Sequence, residues 1–215
     1  MNHQSSKKPK ATVLGKLIVF YPALIILLTI LEFINLIMYQ NLYHFFMIIF
    51  ILYFLPLLTF RIHNIFYPLI EENTIFPSGK YPAWWGSLYI QRIYLSIPIL
   101  ENILRMLPGV YSFWLRLWGS KVGKNIFYAT QMEISDRSLL EIGDFVIFGN
   151  QSGYYCHVLS PTKDGRMLLM IKKIIIGSNV FIGAWSTLGP GISIPDRTKI
   201  PLRSNLFRQT DLSAE

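Results

Sequence analysis

A six-residue phase runs through the C-terminal half of the chain and limits what that half can become. Aliphatic residues recur at Ile176, Ile182, Leu188, Ile194 and Ile200, and the position four later is small or β-branched: Val180, Ser186, Ile192, Thr198 and Ser204. Neither the 3.6-residue period of a helix nor the two-residue alternation of a strand produces this pattern. The phase recurs upstream at Val122, Tyr128 and Ile134, with Ile126, Met132 and Ser138 as the second positions. After a two-residue slip it resumes at Ile142, Phe148 and Tyr154, with Val146 and Ser152.

Three hexads make one coil of a triangular prism. The first residue of each hexad fills the interior and the residue four later sits near a corner. Glycine at the second position, as at Gly123, Gly143, Gly149 and Gly183, is expected to take a turn conformation that side chains resist. Stacked coils pair by parallel strands, as in other β-solenoids. The phase predicts four coils, 122–139, 142–157, 176–193 and 194 to about 205, enough to bury a continuous core.

The N-terminal half is different in kind. Hydrophobic residues make up 52% of the chain and charged residues 15%. A soluble domain averages about 25% charged, so part of this chain belongs in lipid. Residues 17–39 are almost continuously apolar, and a second run covers Tyr43 to Phe60 with Pro56 as a potential kink. Each is near the length that crosses a bilayer as a helix. The connector between them carries no charge, whereas Lys7, Lys8, Lys10 and Lys16 precede the first run and Arg61 follows the second. The positive-inside rule places both ends in the cytoplasm. Glu32 and Asn35, inside the first run, read either as a polar feature on a substrate path or as groups bonded to a neighbouring helix.

Residues 81–118 alternate Trp, Tyr and Leu with charges, and Pro98 and Pro108 divide them into short helices. Glu101 and Arg105, four apart, fit one helix face. Trp84, Trp85, Trp114 and Trp118 suit the headgroup layer, which predicts interfacial amphipathic helices on the cytoplasmic leaflet, or a core against the domain that follows. The organisation expected is a basic cytoplasmic tail (1–16), two transmembrane helices (17–62), an interfacial helical region (63–119), a β-helix domain (120–207) and a short tail (208–215). The net charge of +8 suits an anionic membrane face. No nucleic-acid motif accompanies it, so nucleic acid is not an expected partner.

One segment breaks the repeat. From Tyr154 to Ile176 the step is 22 residues where six are expected, which predicts an extruded loop over 158–173 with Pro161 and Asp164-Gly165 at its tip. His157 stands at its root and is the only one of the four histidines within the repeat. The single cysteine, Cys156, precludes an internal disulfide framework. As the strand neighbour of His157 it points to the opposite face, which reads as a buried, inert thiol.

The repeat resembles that of the hexapeptide-repeat acyltransferase family over about 122–205, and "LRLWGSKVG" at 115–123 is similar to the segment that leads into the β-helix of its membrane-associated members. The resemblance implies a mainly β fold: a left-handed parallel β-helix of about four coils, preceded here by the transmembrane hairpin and interfacial helices. It implies acyl transfer, with acetyl as the expected group, from acetyl-CoA or another acyl-CoA to a hydroxyl or amine, with His157 as general base. Imidazole suits that task because it titrates near neutrality. Asn150, Asp164, Asp144 and Glu141 are the candidates for orienting it. The coenzyme is expected along Gly183, Ala184, Trp185 and Ser186, with a backbone N–H there as oxyanion donor. Lys199 and Arg203 are positioned for the coenzyme phosphates or are ordinary surface charge, and Lys172 and Lys173 can serve the same end. The resemblance further implies a homotrimer with the site between solenoids. No metal is expected: a zinc-dependent β-helix hydratase needs three histidines on the solenoid. The acceptor expected is a lipid-linked molecule or glycan precursor at the inner membrane, with the catalytic domain on its cytoplasmic side. The rival reading is a non-enzymatic membrane scaffold whose β-helix only mediates oligomerisation.

Overall fold

The computed structural model describes residues 12–76, 80–162 and 166–207. Lys7, Lys8 and Lys10, Asp164 and Gly165, and the 208–215 tail lie outside the described residues.

Two long helices form an antiparallel hairpin. The first joins α1 (Val13–Leu17), a 3₁₀ turn and α2 (Tyr21–Tyr39). Gln40, with φ 48°, ends it, and the Asn41 side chain caps the second helix by accepting from Tyr43 N. That helix joins α3 (Leu42–Ile49), a π-helical segment (Phe50–Phe54) and α4 (Leu55–Phe66). Pro56 explains the irregularity. It has no N–H to give the Leu52 carbonyl, and the ladder widens into the π turn just before it. The Tyr94 hydroxyl donates to Leu52 O instead, at 2.8 Å. Glu32, placed inside the first run by sequence, accepts from or donates to His44 Nδ1 at 2.7 Å across the hairpin. By length and composition both helices, 27 and 25 residues, are able to cross a membrane.

Three further helices follow: α5 (Ala83–Ser96), α6 (Ile99–Arg105) and α7 (Val110–Trp118), broken at Pro98 and Pro108 as expected. Of the two readings of the tryptophans, three of the four follow the core. Trp84, Trp114 and Trp118 are buried rather than turned to a headgroup layer. They fill the seam between the hairpin and the β-helix, where Trp118 meets Phe60 at 5.0 Å and Trp114 meets Tyr53 at 5.7 Å. The exposed apolar side chains here are instead Ile99, Ile103, Met106, Leu107 and Phe113. Residues 63–119 also contain a strand, β1 (Glu72–Phe76), where the sequence predicts a helical region.

The repeat folds as the phase requires. Coil one holds β2 (Lys121–Val122), β3 (Phe127–Tyr128) and β4 (Glu133–Ile134); coil two holds β5 (Leu140–Ile142), β6 (Ile147–Phe148) and β7 (Gly153–Tyr154). An antiparallel hairpin, β8 (His157–Pro161) and β9 (Met167–Ile171), then leaves the stack. Coil three holds β10 (Ile174–Ile176), β11 (Phe181–Ile182) and β12 (Thr187–Leu188); coil four holds β13 (Ser193–Ile194), β14 (Lys199–Ile200) and β15 (Asn205–Leu206). Equivalent strands pair in parallel to give three four-stranded sheets, β2-β5-β10-β13, β3-β6-β11-β14 and β4-β7-β12-β15. The predicted large positions stack in register: Tyr128, Phe148, Ile182 and Ile200 on one sheet, and Ile134, Tyr154 and Leu188 on the next, where Leu206 extends the stack. This arrangement is consistent with a left-handed β-helix.

The corners show a different use of glycine from the one expected. Left-handed backbone falls at Asn125, Phe145, Asn179 and Arg197 on one edge of the prism and at Gln131, Gln151, Trp185 and Arg203 on the next, with φ of 54–60°. These residues stand two places after the hexad's second position. The N–H groups of Phe145, Asn179, Trp185, Arg197 and Arg203 bond to the preceding coil, as in Trp185 N to Asn150 O at 2.9 Å, which offsets the cost of left-handed geometry there. The second-position glycines are needed for close approach instead. A Cβ on Gly183 would meet the backbone of Leu202, and one on Gly149 the backbone of Ala184.

Candidate active site

Both irregularities in the repeat fall on the third edge of the prism, between the third sheet and the first. In coil one the two-residue slip lies between β4 and β5 and holds Asp136 and Arg137; in coil two the β8–β9 hairpin leaves at His157. Stacking the coils brings the two breaks together. His157 Nδ1 lies 2.6 Å from Asp136 Oδ2. The Asp136 side chain is fully buried and the His157 side chain is 16% exposed. Ser135 Oγ donates to the same carboxylate oxygen. An ionised carboxylate only accepts hydrogen bonds, so opposite an ionised Asp136 the ring hydrogen faces it from Nδ1, and a neutral imidazole in that arrangement carries its lone pair on Nε2. The ring of Trp84, from α5, covers the imidazole at 4.9 Å with the planes 59° apart.

None of the described residues expected to orient the imidazole does so. Asn150 sits one edge away, where its Oδ1 accepts from Thr130 Oγ1 at 3.3 Å. Asp144 accepts from Lys124 N at 2.7 Å. Glu141 is held by Lys173 at 3.0 Å and Lys121 at 3.2 Å, and these hydrogen bonds keep its carboxyl below its usual range. Asp164 lies outside the described residues. The missed residue, Asp136, was signalled by the slip, because a two-residue insertion in a strict repeat must be accommodated at a corner.

Cys156 behaves as expected. It is buried and its thiol donates to Leu139 O at 3.4 Å. Burial, and then the charge of Asp136, push the thiol well above its ordinary range. A thiol held protonated is a poor nucleophile. The extruded segment is a β-hairpin rather than an irregular loop, and β1 pairs with β9 to make a sheet of order β1-β9-β8.

The residues expected to meet the coenzyme gather at the edge between the second and third sheets. Gly183, Ala184, Trp185 and Lys199 line an open pocket of about 600 Å³ together with Phe181 and Leu202. Lys199 Nζ lies 5.9 Å from the Phe181 ring centre, and the Arg203 guanidinium lies 5.5 Å from that of Trp185. Ser186 departs from expectation: it is fully buried and its hydroxyl donates to Pro201 O at 3.0 Å inside the prism. The N–H groups of Gly183 and Trp185 are bonded to Ile200 O and Asn150 O, so neither is left for an oxyanion. Lys173 is engaged with Glu141 and Glu71 rather than turned to an anion.

A strict hexad phase, three stacked parallel sheets and a histidine–carboxylate pair at an extruded corner are the features that the resemblance to the hexapeptide-repeat acyltransferases, a class of acyl-CoA-dependent transferases, leads one to expect. No family profile matches the chain. Over 152 residues it is 24% identical to "Putative colanic acid biosynthesis acetyltransferase WcaF" of Escherichia coli (strain K12), and equally to its Shigella flexneri counterpart, covering 60% of this chain and 77% of theirs. Among solved structures, a hexapeptide-repeat acetyltransferase of Vibrio cholerae O1 biovar eltor complexed with acetyl-coenzyme A aligns with a TM-score of 0.43 and 16% identity, over 56% of this chain and 79% of that one. A maltose O-acetyltransferase of Clostridium difficile 630 aligns with a TM-score of 0.36 and 20% identity, over 52% and 73%.

Proposed function

We propose that the chain is a membrane-anchored acetyltransferase that moves an acetyl group from acetyl-CoA to a hydroxyl or amine of a glycan precursor or lipid-linked acceptor. The observation that carries this reading is the His157–Asp136 pair. Asp136 fixes the tautomer, and Nε2 takes the proton from the acceptor as its oxygen or nitrogen attacks the thioester carbon. The new bond to the acyl carbon forms, the carbon–sulfur bond breaks, and the imidazolium returns the proton to the departing thiolate. Atoms and charge balance without a metal or an acyl-histidine intermediate. The name of the E. coli relative supports acetyl as the group and a glycan as the acceptor class.

A homotrimer fits the placement of the two half-sites. Within one chain, His157 leaves one edge of the prism while Gly183, Trp185 and Lys199 occupy another. A neighbouring copy brings the two edges together, and with them Asn150. An outward stripe suits that contact: Phe127, Ile147 and Phe181 stack on one sheet, each more than two-fifths exposed, and Trp185 and Leu202 continue it. The expected mass in nanodiscs is that of a trimer; a monomer with full activity overturns the shared site.

The hairpin supports an anchor in the inner membrane with the β-helix in the cytoplasm, where acyl-CoA is found. Protease added to inside-out vesicles is then expected to digest the β-helix. Mass spectrometry of lipids and surface glycans from cells with and without the protein tests the reaction itself. Loss of an acetyl group from one of these is expected; unchanged lipids and glycans, with no binding to immobilised coenzyme A, return the chain to a scaffold role.

A further inference from the structure

We propose that Trp84 is a positioning residue through which the hairpin-bound helices hold the His157 imidazole in its reacting orientation. The proposal rests on the general-base reading of His157. Trp84 opens α5, is 3% exposed and lays its ring against the imidazole. Asp136 holds one atom of that ring, Nδ1, which leaves the ring free to tilt about the hydrogen bond. The indole closes one side of that motion and excludes water from it.

The start of α5 is itself pinned to both long helices. Trp85 Nε1 donates to Gly15 O at 3.0 Å in the first. Gly86 receives His63 of the second, which is bonded at 2.9 Å to Tyr81 just ahead of α5, and a Cβ at Gly86 would collide with both rings. Trp84 stands between these anchors and the base. Its placement therefore depends on the hairpin being docked, so the orientation of the base, and with it turnover, is tied to the membrane-inserted form. Nothing in the β-helix alone supplies this contact, because the ring over His157 comes from a helix outside the repeat.

Full-length protein in nanodiscs, assayed with acetyl-CoA and the acceptor found by the glycan comparison, provides the test. Trp84→Phe keeps a flat face and is expected to turn over near the wild-type rate. Trp84→Leu keeps apolar volume without the face and is expected to lower kcat by about 10–10²-fold, the scale on which misplacement of a reacting group is felt, with KM for acetyl-CoA unchanged. ¹⁵N spectra of the imidazole should show the Nδ1–H tautomer in wild type, Trp84→Phe and Trp84→Leu alike, because Asp136 sets it, so the loss in Trp84→Leu reports ring orientation and not tautomer. Gly86→Ala leaves both Trp84 and His157 intact but displaces α5 from His63 and Tyr81, and is expected to lower kcat in the same way. If Trp84→Leu or Gly86→Ala keeps wild-type kcat while His157→Ala is inactive, the coupling is wrong and the base assignment stands. If Trp84→Phe loses as much as Trp84→Leu, the ring face is not the cause and the proposal fails. If His157→Ala is itself active, the general-base reading fails first.

Discussion

Replacing His157 with alanine is expected to lower turnover about 10²–10⁴-fold, the usual contribution of a general base, while coenzyme A binding persists. The pocket proposed for the coenzyme lies on another edge of the prism and shares no residue with the His157–Asp136 pair. No other described histidine can substitute: His44 is bound to Glu32 inside the hairpin and His63 to Tyr81 at its base. The alanine variant is not neutral for stability, as a surface histidine at a loop root would be. It leaves Asp136 fully buried with Ser135 as a remaining side-chain donor, and Asp136 Oδ1 has no hydrogen-bond partner to begin with. An uncompensated buried acceptor costs about 1–3 kcal/mol. His157→Gln separates the two effects, because its amide N–H can donate to Asp136 while supplying no base. Both variants should bind coenzyme A and fail to transfer. Wild-type turnover in His157→Gln would remove the imidazole from the mechanism.

The repeat was legible because its constraint is strict. A residue that must face the prism interior every sixth place leaves a mark in the sequence, and the coil positions follow from Ile176, Ile182 and Leu188 outward. His157 was legible because it stands where the phase is interrupted. Its partner was not, because Asp136 and His157 are 21 residues apart and meet only when coil one stacks on coil two; proximity along the chain favoured Asn150 and Asp164 instead. The glycines misled for a related reason. Close contact between coils and left-handed backbone both select glycine, and sequence alone does not distinguish them; the left-handed places went to Asn179, Trp185 and Arg203. Strand β1 was illegible because its partner β9 belongs to the extruded hairpin, far away in sequence. The tryptophans left two readings open because amphipathic aromatic residues suit either a headgroup layer or a seam between two layers, and only the packing decides.

The largest loss of stability from a single side chain is expected at Glu101. One carboxylate there serves two guanidinium groups. Arg137 donates from Nε to Oε1 at 2.6 Å and from Nη2 to Oε2 at 2.9 Å; Arg105 reaches Oε2 at 3.4 Å. All three side chains are 4% exposed or less. Gln91 Oε1 accepts from Arg137 N, and the Arg137 guanidinium lies 4.9 Å from the Tyr94 ring centre. This cluster fastens α5 and α6 to the slip that carries Asp136, so it also sets the base. Burial works against the Glu101 charge, but Arg137 and Arg105 more than offset it and hold the carboxyl below its usual range. Burial likewise works against Arg137, and Glu101 reverses it. Removing one partner of a buried pair typically costs about 3–5 kcal/mol. Glu101→Gln leaves two buried cations without a carboxylate, whereas Arg137→Met leaves Glu101 still paired with Arg105. Glu101→Gln is therefore expected to destabilise more than Arg137→Met, read as the shift in denaturant midpoint of protein in detergent. Because the folded Glu101 titrates below its ordinary value of 4.5, its stabilisation is complete above that pH and is lost as pH falls below it toward the folded value. The variant should show no such acid limb. A smaller loss in Glu101→Gln than in Arg137→Met would mean that the carboxylate is not the hub of the cluster.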